Sequence, residues 1–287
     1  MKKFIALIAI FGLAGFAFLN AERYKIEEKE KIEKVFQFKD SKDQREFRLD
    51  NIWGAITLEG YGGSEVRMLA YKTIKAKDQS RLEWARKEVT LDVTEEGNII
   101  DLYVDGPFRC RDEEGNHINW RNPGYYVQYD FEIKVPQKVN LYLRTVNKGD
   151  ILVSNVDGEF DIKNVNGKID LKNVAGAGDA HTVNGWVKVN FTRNPGSDCS
   201  FHTINGDLEI FFPKTPSAEF RLKTFNGDAY SDFPVEYLPF NPGKGERKEG
   251  KYVFKSSRFV GVKSGQGGPE IKLDTFNGDI ILAQKNK

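Results

Sequence analysis

Two cysteines, three histidines and two methionines are all that 287 residues provide of sulfur and imidazole side chains. A disulfide-rich scaffold is thereby excluded, because two cysteines form one bridge at most. Charge of one sign is also missing: Lys and Arg number 43, Asp and Glu 42, and the net charge is +1. A surface built to hold phosphates carries a one-signed field. With none here, and no Lys/Arg cluster interleaved with aromatics, no nucleic-acid partner is expected. The Gly-rich tetrad at 265–268 is followed neither by the Lys-Ser/Thr of a phosphate-binding loop nor by a helix start. No nucleophile–base pair stands out, so the chain reads as non-enzymatic and without a cofactor.

Long apolar runs are scarce as well. One uncharged, mostly apolar run covers residues 4–19, preceded by Lys2 and Lys3 and followed by Ala21 at a cleavage-like position. This is the pattern of an export signal, residues 1–21. The alternative is an uncleaved membrane anchor, although the run is short for a hydrocarbon layer of ~30 Å. No cysteine follows the run, which argues against lipoprotein processing. The expected address is outside the cytoplasm: periplasmic, outer-surface or secreted. Residues 22–34 are dense in mixed charge and read as a solvated linker or loose helix.

What the sequence has in abundance is one phrase: Thr or Asn, an apolar residue, Asn or Asp, Gly, then a short alternating strand. Copies start at Thr145, Asn155, Asn164, Asn173, Thr182, Thr203, Thr224 and Thr275, with a diverged copy at Asn51. The steps are nine or ten residues at first, then 21 twice, then 51. Each short copy reads as one strand plus one turn, and about two make a coil. The pairs Asn166-Gly167, Asn184-Gly185, Asn205-Gly206, Asn226-Gly227 and Asn277-Gly278 supply tight turns, since both residue types tolerate positive φ. After Gly206, Leu208, Ile210 and Phe212 face one way and Asp207, Glu209 and Phe211 the other, the period of a half-buried strand. The expected fold is all-β: a solenoid-like stack of strand–turn repeats with one short flanking helix.

Shifts of 21 and 51 residues place Cys199, Phe220 and Ile271 in one inward column. They place His181, His202, Lys223 and Asp274 in one outward column on successive coils. The expected organisation is a β-rich part at 35–144, with a helix at 78–90, and a repeat domain at 145–287 interrupted by an insertion at 233–269. Ser80 with Glu83 suggests a capping box for the helix, whose apolar stripe is Leu82, Ala85 and Val89. Residues 105–124, with Cys110, His117 and Trp120, read as an irregular loop.

The phrases at Thr182, Thr203, Thr224 and Thr275, the closing stretch GQGGPEIKLDTFNGDIIL at 265–282 and the early DNIWGAITLEG at 50–60 resemble the bacterial putative-adhesin family, exported β-strand-repeat proteins of unknown domain function. The resemblance covers roughly residues 35–287. It implies a cell-envelope role in adhesion or stress sensing, and supplies no catalytic residues.

Trp186, Phe211 and Tyr230 fall on outward positions and are the candidate contact residues, for a protein or glycan partner at the envelope. The alternative is that the insertion or the N-terminal strands cover this face. His181 and His202 are adjacent in their column, a weak metal pair without a third ligand. A calcium roll does not fit, because the phrase has a single Gly and an apolar residue two positions on. Cys199 faces the core, and a bridge to Cys110 is one of two readings; the other is a buried free thiol. As the rival to an envelope binding protein, a carbohydrate-active β-helix enzyme would use outward acids such as Asp207, Asp228 or Glu209. Contact with a membrane is expected only through an uncleaved N-terminus.

Overall fold

The computed structural model describes residues 24–39, 44–109, 123–239, 246–248, 251–253 and 259–285. The expected export signal and the region from Cys110 to Trp120 lie outside them. The elements in chain order are β1 (Ile26–Gln37), β2 (Glu46–Asp50), β3 (Ile56–Tyr61), β4 (Glu65–Ala76), α1 (Gln79–Glu88), β5 (Thr90–Glu96), β6 (Ile99–Asp105), β7 (Tyr125–Pro136), β8 (Asn140–Arg144), β9 (Ile151–Ser154), β10 (Phe160–Lys163), β11 (Ile169–Val174) and β12 (Gly178–His181). Then come β13 (Val187–Phe191), β14 (Cys199–Asn205), β15 (Leu208–Phe212), β16 (Ala218–Lys223), β17 (Ala229–Ser231), β18 (Glu236–Tyr237), β19 (Glu246–Lys248), β20 (Lys251–Val253), β21 (Val260–Ser264), β22 (Glu270–Asn277) and β23 (Ile280–Gln284). A short 3-10 turn spans Pro107–Arg109. The stretch read as a charged linker is therefore mostly strand, since β1 starts at Ile26. It is the outermost strand of its sheet, and charge on an outermost strand discourages pairing with other chains.

Two compact units divide the chain, and β1, β4 and β7, with one end residue each of β5 and β6, contribute residues to both. Of the described residues, the smaller comprises 24–30, 73–90, 105–109 and 123–127. Within it, α1 buries Leu82 and Ala85 and leaves Trp84 exposed under the Arg81 guanidinium, 4.3 Å from the ring centre. The cap is Asp78, not Ser80: its side chain accepts the Arg81 N–H at 2.9 Å. Asp78→Ala should cost about 1 kcal/mol in a urea titration, and Ser80→Ala close to nothing.

The larger unit comprises Lys31–Lys72, Leu91–Val104 and Gln128–Lys287. Sheet A runs β1-β4-β7-β3-β9-β11-β13-β15-β23-β17, and sheet B runs β18-β21-β16-β22-β14-β12-β10-β8-β2-β6-β5. From β3 and β2 onward the repeat strands pair in parallel, one strand per coil in each sheet. The boundary expected at 144/145 falls inside this unit, because β2 and β3 pair directly with β8 and β9. Inward Val, Ile, Leu and Phe fill the core; Val187, Val189, Leu208, Ile210, Ile280 and Phe201 are fully buried. Towards the C-terminal coils the filling turns aromatic, with Phe191 stacked on Phe212 at 5.8 Å and Phe220 and Phe233 closing around them.

The coils do not stack in sequence order. Cys199 and Phe220 share the expected column, but Ile271 lies between them: β22 pairs with β14 on one side and β16 on the other. Likewise β23 sits between β15 and β17. The coil of β22 and β23 is thus intercalated between two coils that precede it in the chain. Of the described strands of the insertion, β21 and β18 extend sheet B, β21 running antiparallel to β16 and β18 antiparallel to β21, while β19 and β20 form a separate antiparallel pair.

Candidate binding site

Each letter of the repeated phrase has a role between coils. The opening Thr donates its hydroxyl to the carbonyl of the glycine one coil away: Thr182 to Gly167 at 2.8 Å, Thr203 to Gly185 at 2.8 Å, Thr275 to Gly206 at 3.0 Å and Thr224 to Gly278 at 2.9 Å. Where Asn replaces Thr, at Asn164, its amide reaches Gly149 O at 3.0 Å. The turn asparagines form a continuous amide ladder in the order Asn147, Asn166, Asn184, Asn205, Asn277, Asn226, with 2.6–2.8 Å between neighbours. The glycines permit close approach: a Cβ on Gly206 would lie 2.1 Å from Gly185 O, and one on Gly185 2.3 Å from Gly167 O. An Asp after the glycine accepts a backbone N–H of the next coil, as Asp207 does from Asp279 and Asp279 from Asp228, at 2.8 and 2.9 Å.

Two of the three outward acids that a carbohydrate-active enzyme would use are engaged in such contacts. Glu209 pairs with Lys188 at 2.7 Å, and Asp207 holds the neighbouring coil. The histidine column reads Lys163, His181, His202, Asp274, Lys223, so the intercalated coil puts Asp274, not Lys223, next to His202. The His181 and His202 rings meet edge to face at 5.9 Å. Among the described residues no group of three or more His, Cys, Asp or Glu side chains could hold a metal ion. Burial lowers the His181 pKa, Asp179 pulling the other way and His202 adding to the lowering. The unfolded chain therefore takes up this proton first, and stability is lost as the pH falls below the ordinary histidine value of about 6.5. Melting temperatures at pH 7.5 and 5.0 should differ less for His181→Gln than for the wild type. Cys199 is a buried free thiol, its pKa pushed up to about 11 by burial.

The three outward aromatics occupy three different columns of sheet A. Trp186 is half-buried beneath Lys168, whose Nζ lies 5.2 Å from the ring centre, and Phe211 lies beneath Lys188 at 4.9 Å. Tyr230 is 53% exposed, and it alone of the three lines a cavity of about 450 Å³ at the β17 end of the stack. The apolar wall of this cavity includes Leu222, Phe233, Val235, Val262 and Leu282, and its rim carries Lys223, Asp228 and the 81%-exposed Tyr237. It exists because β17 places Ala229 and Ser231 where the neighbouring strand has Ile280 and Leu282. Asp228 raises the Tyr230 hydroxyl pKa, with Asp279 adding to it. Beside this end, the exposed rings of Phe225 and Phe276 stack face to face at 4.7 Å. Sequence reading missed Tyr237 and the apolar wall; the signal was the Ala229 and Ser231 pair, small residues where the other repeat strands of sheet A carry Val, Ile or Leu.

The family model Toastrack DUF4097 matches residues 140–283. No curated protein matches the chain. Among solved structures, the chain is similar to a "putative cell adhesion protein" from Clostridium sporogenes, with 12% identity over 90% of this chain and 100% of that one and a TM-score of 0.38. It is also similar to a "putative adhesin" from Bacteroides fragilis, with 10% identity over 89% and 97% of the two chains and a TM-score of 0.33. A "putative lipid binding protein" from Parabacteroides distasonis matches with 10% identity over 91% and 97% and a TM-score of 0.28. Likeness at these levels carries no functional argument. Among the described residues no helix is long and apolar enough to cross a membrane.

Proposed function

This chain belongs to the Toastrack DUF4097 family, and from that premise we propose that it is a non-enzymatic binding scaffold of the cell envelope whose contact surface is the β17 end of its stack. The observation that carries the reading is the end cavity: about 450 Å³, walled by apolar side chains and rimmed by exposed Tyr230 and Tyr237. Its size falls in the ordinary range for binding sites, and an apolar wall with a few polar groups is their usual composition. Exposed tyrosines suit either a protein or a glycan partner. The export proposal rests on the basic start and apolar run of residues 1–21. The repeat residues support a scaffold role, since Thr, Asn, Gly and Asp of each phrase are used in holding one coil to the next.

Labelled full chain titrated against isolated envelopes of the producing cell tests this. Tyr230→Ala with Tyr237→Ala should weaken binding by about tenfold or more at an unchanged melting temperature. Equal binding by the double variant would remove the end of the stack from consideration. Release of reducing ends from a polysaccharide panel, abolished by Asp228→Ala, would replace the scaffold reading with an enzymatic one.

A further inference from the structure

At the β17 end the two sheets stop at different levels. Sheet B continues past β16 with β21 and β18, whereas sheet A stops at β17. The cavity described above is the place that the next strand of sheet A would fill.

The backbone there faces outward. Ile280 N–H donates to Asp228 O and Asp232 N–H donates to Leu282 O, so Asp228, Tyr230 and Asp232 face β23. The alternation of a parallel ladder then turns Gly227, Ala229 and Ser231 towards the cavity with both N–H and C=O. Among the described residues no strand pairs with that edge.

The side chains repeat the receiving half of the ladder. At the turns of Gly167, Gly185, Gly206 and Gly278, the glycine carbonyl accepts a Thr hydroxyl from the next coil, the Asn Oδ1 accepts an Asn amide, and the glycine N–H donates to an Asn carbonyl, as Gly206 does to Asn277 O at 2.8 Å. An Asp such as Asp207 or Asp279 accepts an N–H. In the end coil, Gly227 O, Asn226 Oδ1, Gly227 N–H and Asp228 Oδ1 hold these positions, and among the described residues nothing occupies them. This chain shows the template working at a distance: β22 and β23 are received between coils that lie 50 or more residues earlier in the chain.

We propose that the outer edge of β17 is a strand-addition site, and that its ligand is a single extended peptide of another polypeptide, carrying Thr-x-Asn-Gly-Asp followed by alternating apolar residues and pairing parallel to Gly227–Ser231. A whole coil or the end of a second stack is disfavoured, because the matching place in sheet B is taken by β21. The apolar residues enter the cavity between Leu222, Val262 and Leu282, and main-chain pairing supplies the rest, as in other strand additions. The proposal rests on the reading of this end as the contact surface.

The full chain is titrated, by fluorescence anisotropy, against a labelled peptide Thr-Phe-Asn-Gly-Asp-Ile-Ile-Leu-Ala, the sequence of residues 275–283. Saturable binding is expected. It should weaken about tenfold or more when the peptide glycine becomes alanine, whose Cβ would press on Gly227 O, and in the variant Ala229→Pro. That variant removes an outward N–H and leaves the β17–β23 bonds intact, so its melting temperature should hold. Should it not fold, hydrogen exchange on the wild type decides instead: the Gly227, Ala229 and Ser231 amides should slow on peptide addition. No saturable binding, equal binding of a scrambled peptide, or no slowing at these amides overturns strand addition. If the tyrosine double variant still loses envelope binding in that event, the end remains a contact surface of another kind.

Discussion

Ile210→Asp should unfold the stack at room temperature or lower its urea midpoint severely, with a loss of at least about 4 kcal/mol. Ile210 is fully buried and paired in register with Val189 on one side and Leu282 on the other. A carboxylate there has no partner, and every neighbouring coil loses packing with it. Ile210→Ala separates the two causes: the cavity alone should cost about 2–5 kcal/mol. Glu209→Gln, one residue away on the outward side, removes a partly exposed pair with Lys188 and should change stability by less than about 1 kcal/mol. An Ile210→Asp melt matching the wild type would mean that the inward register is wrong.

Gly206→Ala should be almost as damaging, although alanine is the smallest change available. The added Cβ would sit 2.1 Å from Gly185 O, a backbone atom held by the ladder on both of its sides, and Gly206 has a φ of +152°. Moving it apart breaks the Thr275 and Asn277 contacts to this turn. A loss of about 2–4 kcal/mol is expected. Gly196→Ala is the control, because a Cβ there meets nothing within 4 Å; it should stay within about 0.5 kcal/mol of the wild type. Equal urea midpoints for the two variants would deny the close approach of successive turns.

The columns of this stack were legible in the sequence, and their order was not. Alternation after each Gly fixes which residues face inward, and shifts of 21 and 51 residues align Cys199, Phe220 and Ile271. Any phrase can accept any other, however, because the ladder contacts use the same Thr, Asn and Gly atoms everywhere. Periodicity therefore leaves the neighbours of a coil open. Within sheet A side-chain size separates them: each interior repeat strand carries Val, Ile or Leu at both inward positions, as β23 does with Ile280 and Leu282, whereas β17 carries Ala229 and Ser231. The same observation locates the cavity, which the constant letters of the repeat do not report. Outwardness alone does not tell Trp186 and Phe211, whose rings lie beneath Lys168 and Lys188, from the more exposed Tyr230. At α1 the Ser80–Glu83 spacing drew attention from Asp78, whose carboxylate is the one in reach of the Arg81 N–H.

The intercalated coil acts as a keystone in time as well as in space. While the chain is being made, residues 218–231 emerge before the strands that they must pack against, β22 and β23. Docking at once on β14 and β15 would satisfy the same ladder and shut the later segment out of its slot. Native assembly requires this gap to stay open, or to reopen, until the last coil arrives. The C-terminal residues thus arbitrate between two stacking orders that share the same ladder contacts and differ in how well the core is filled.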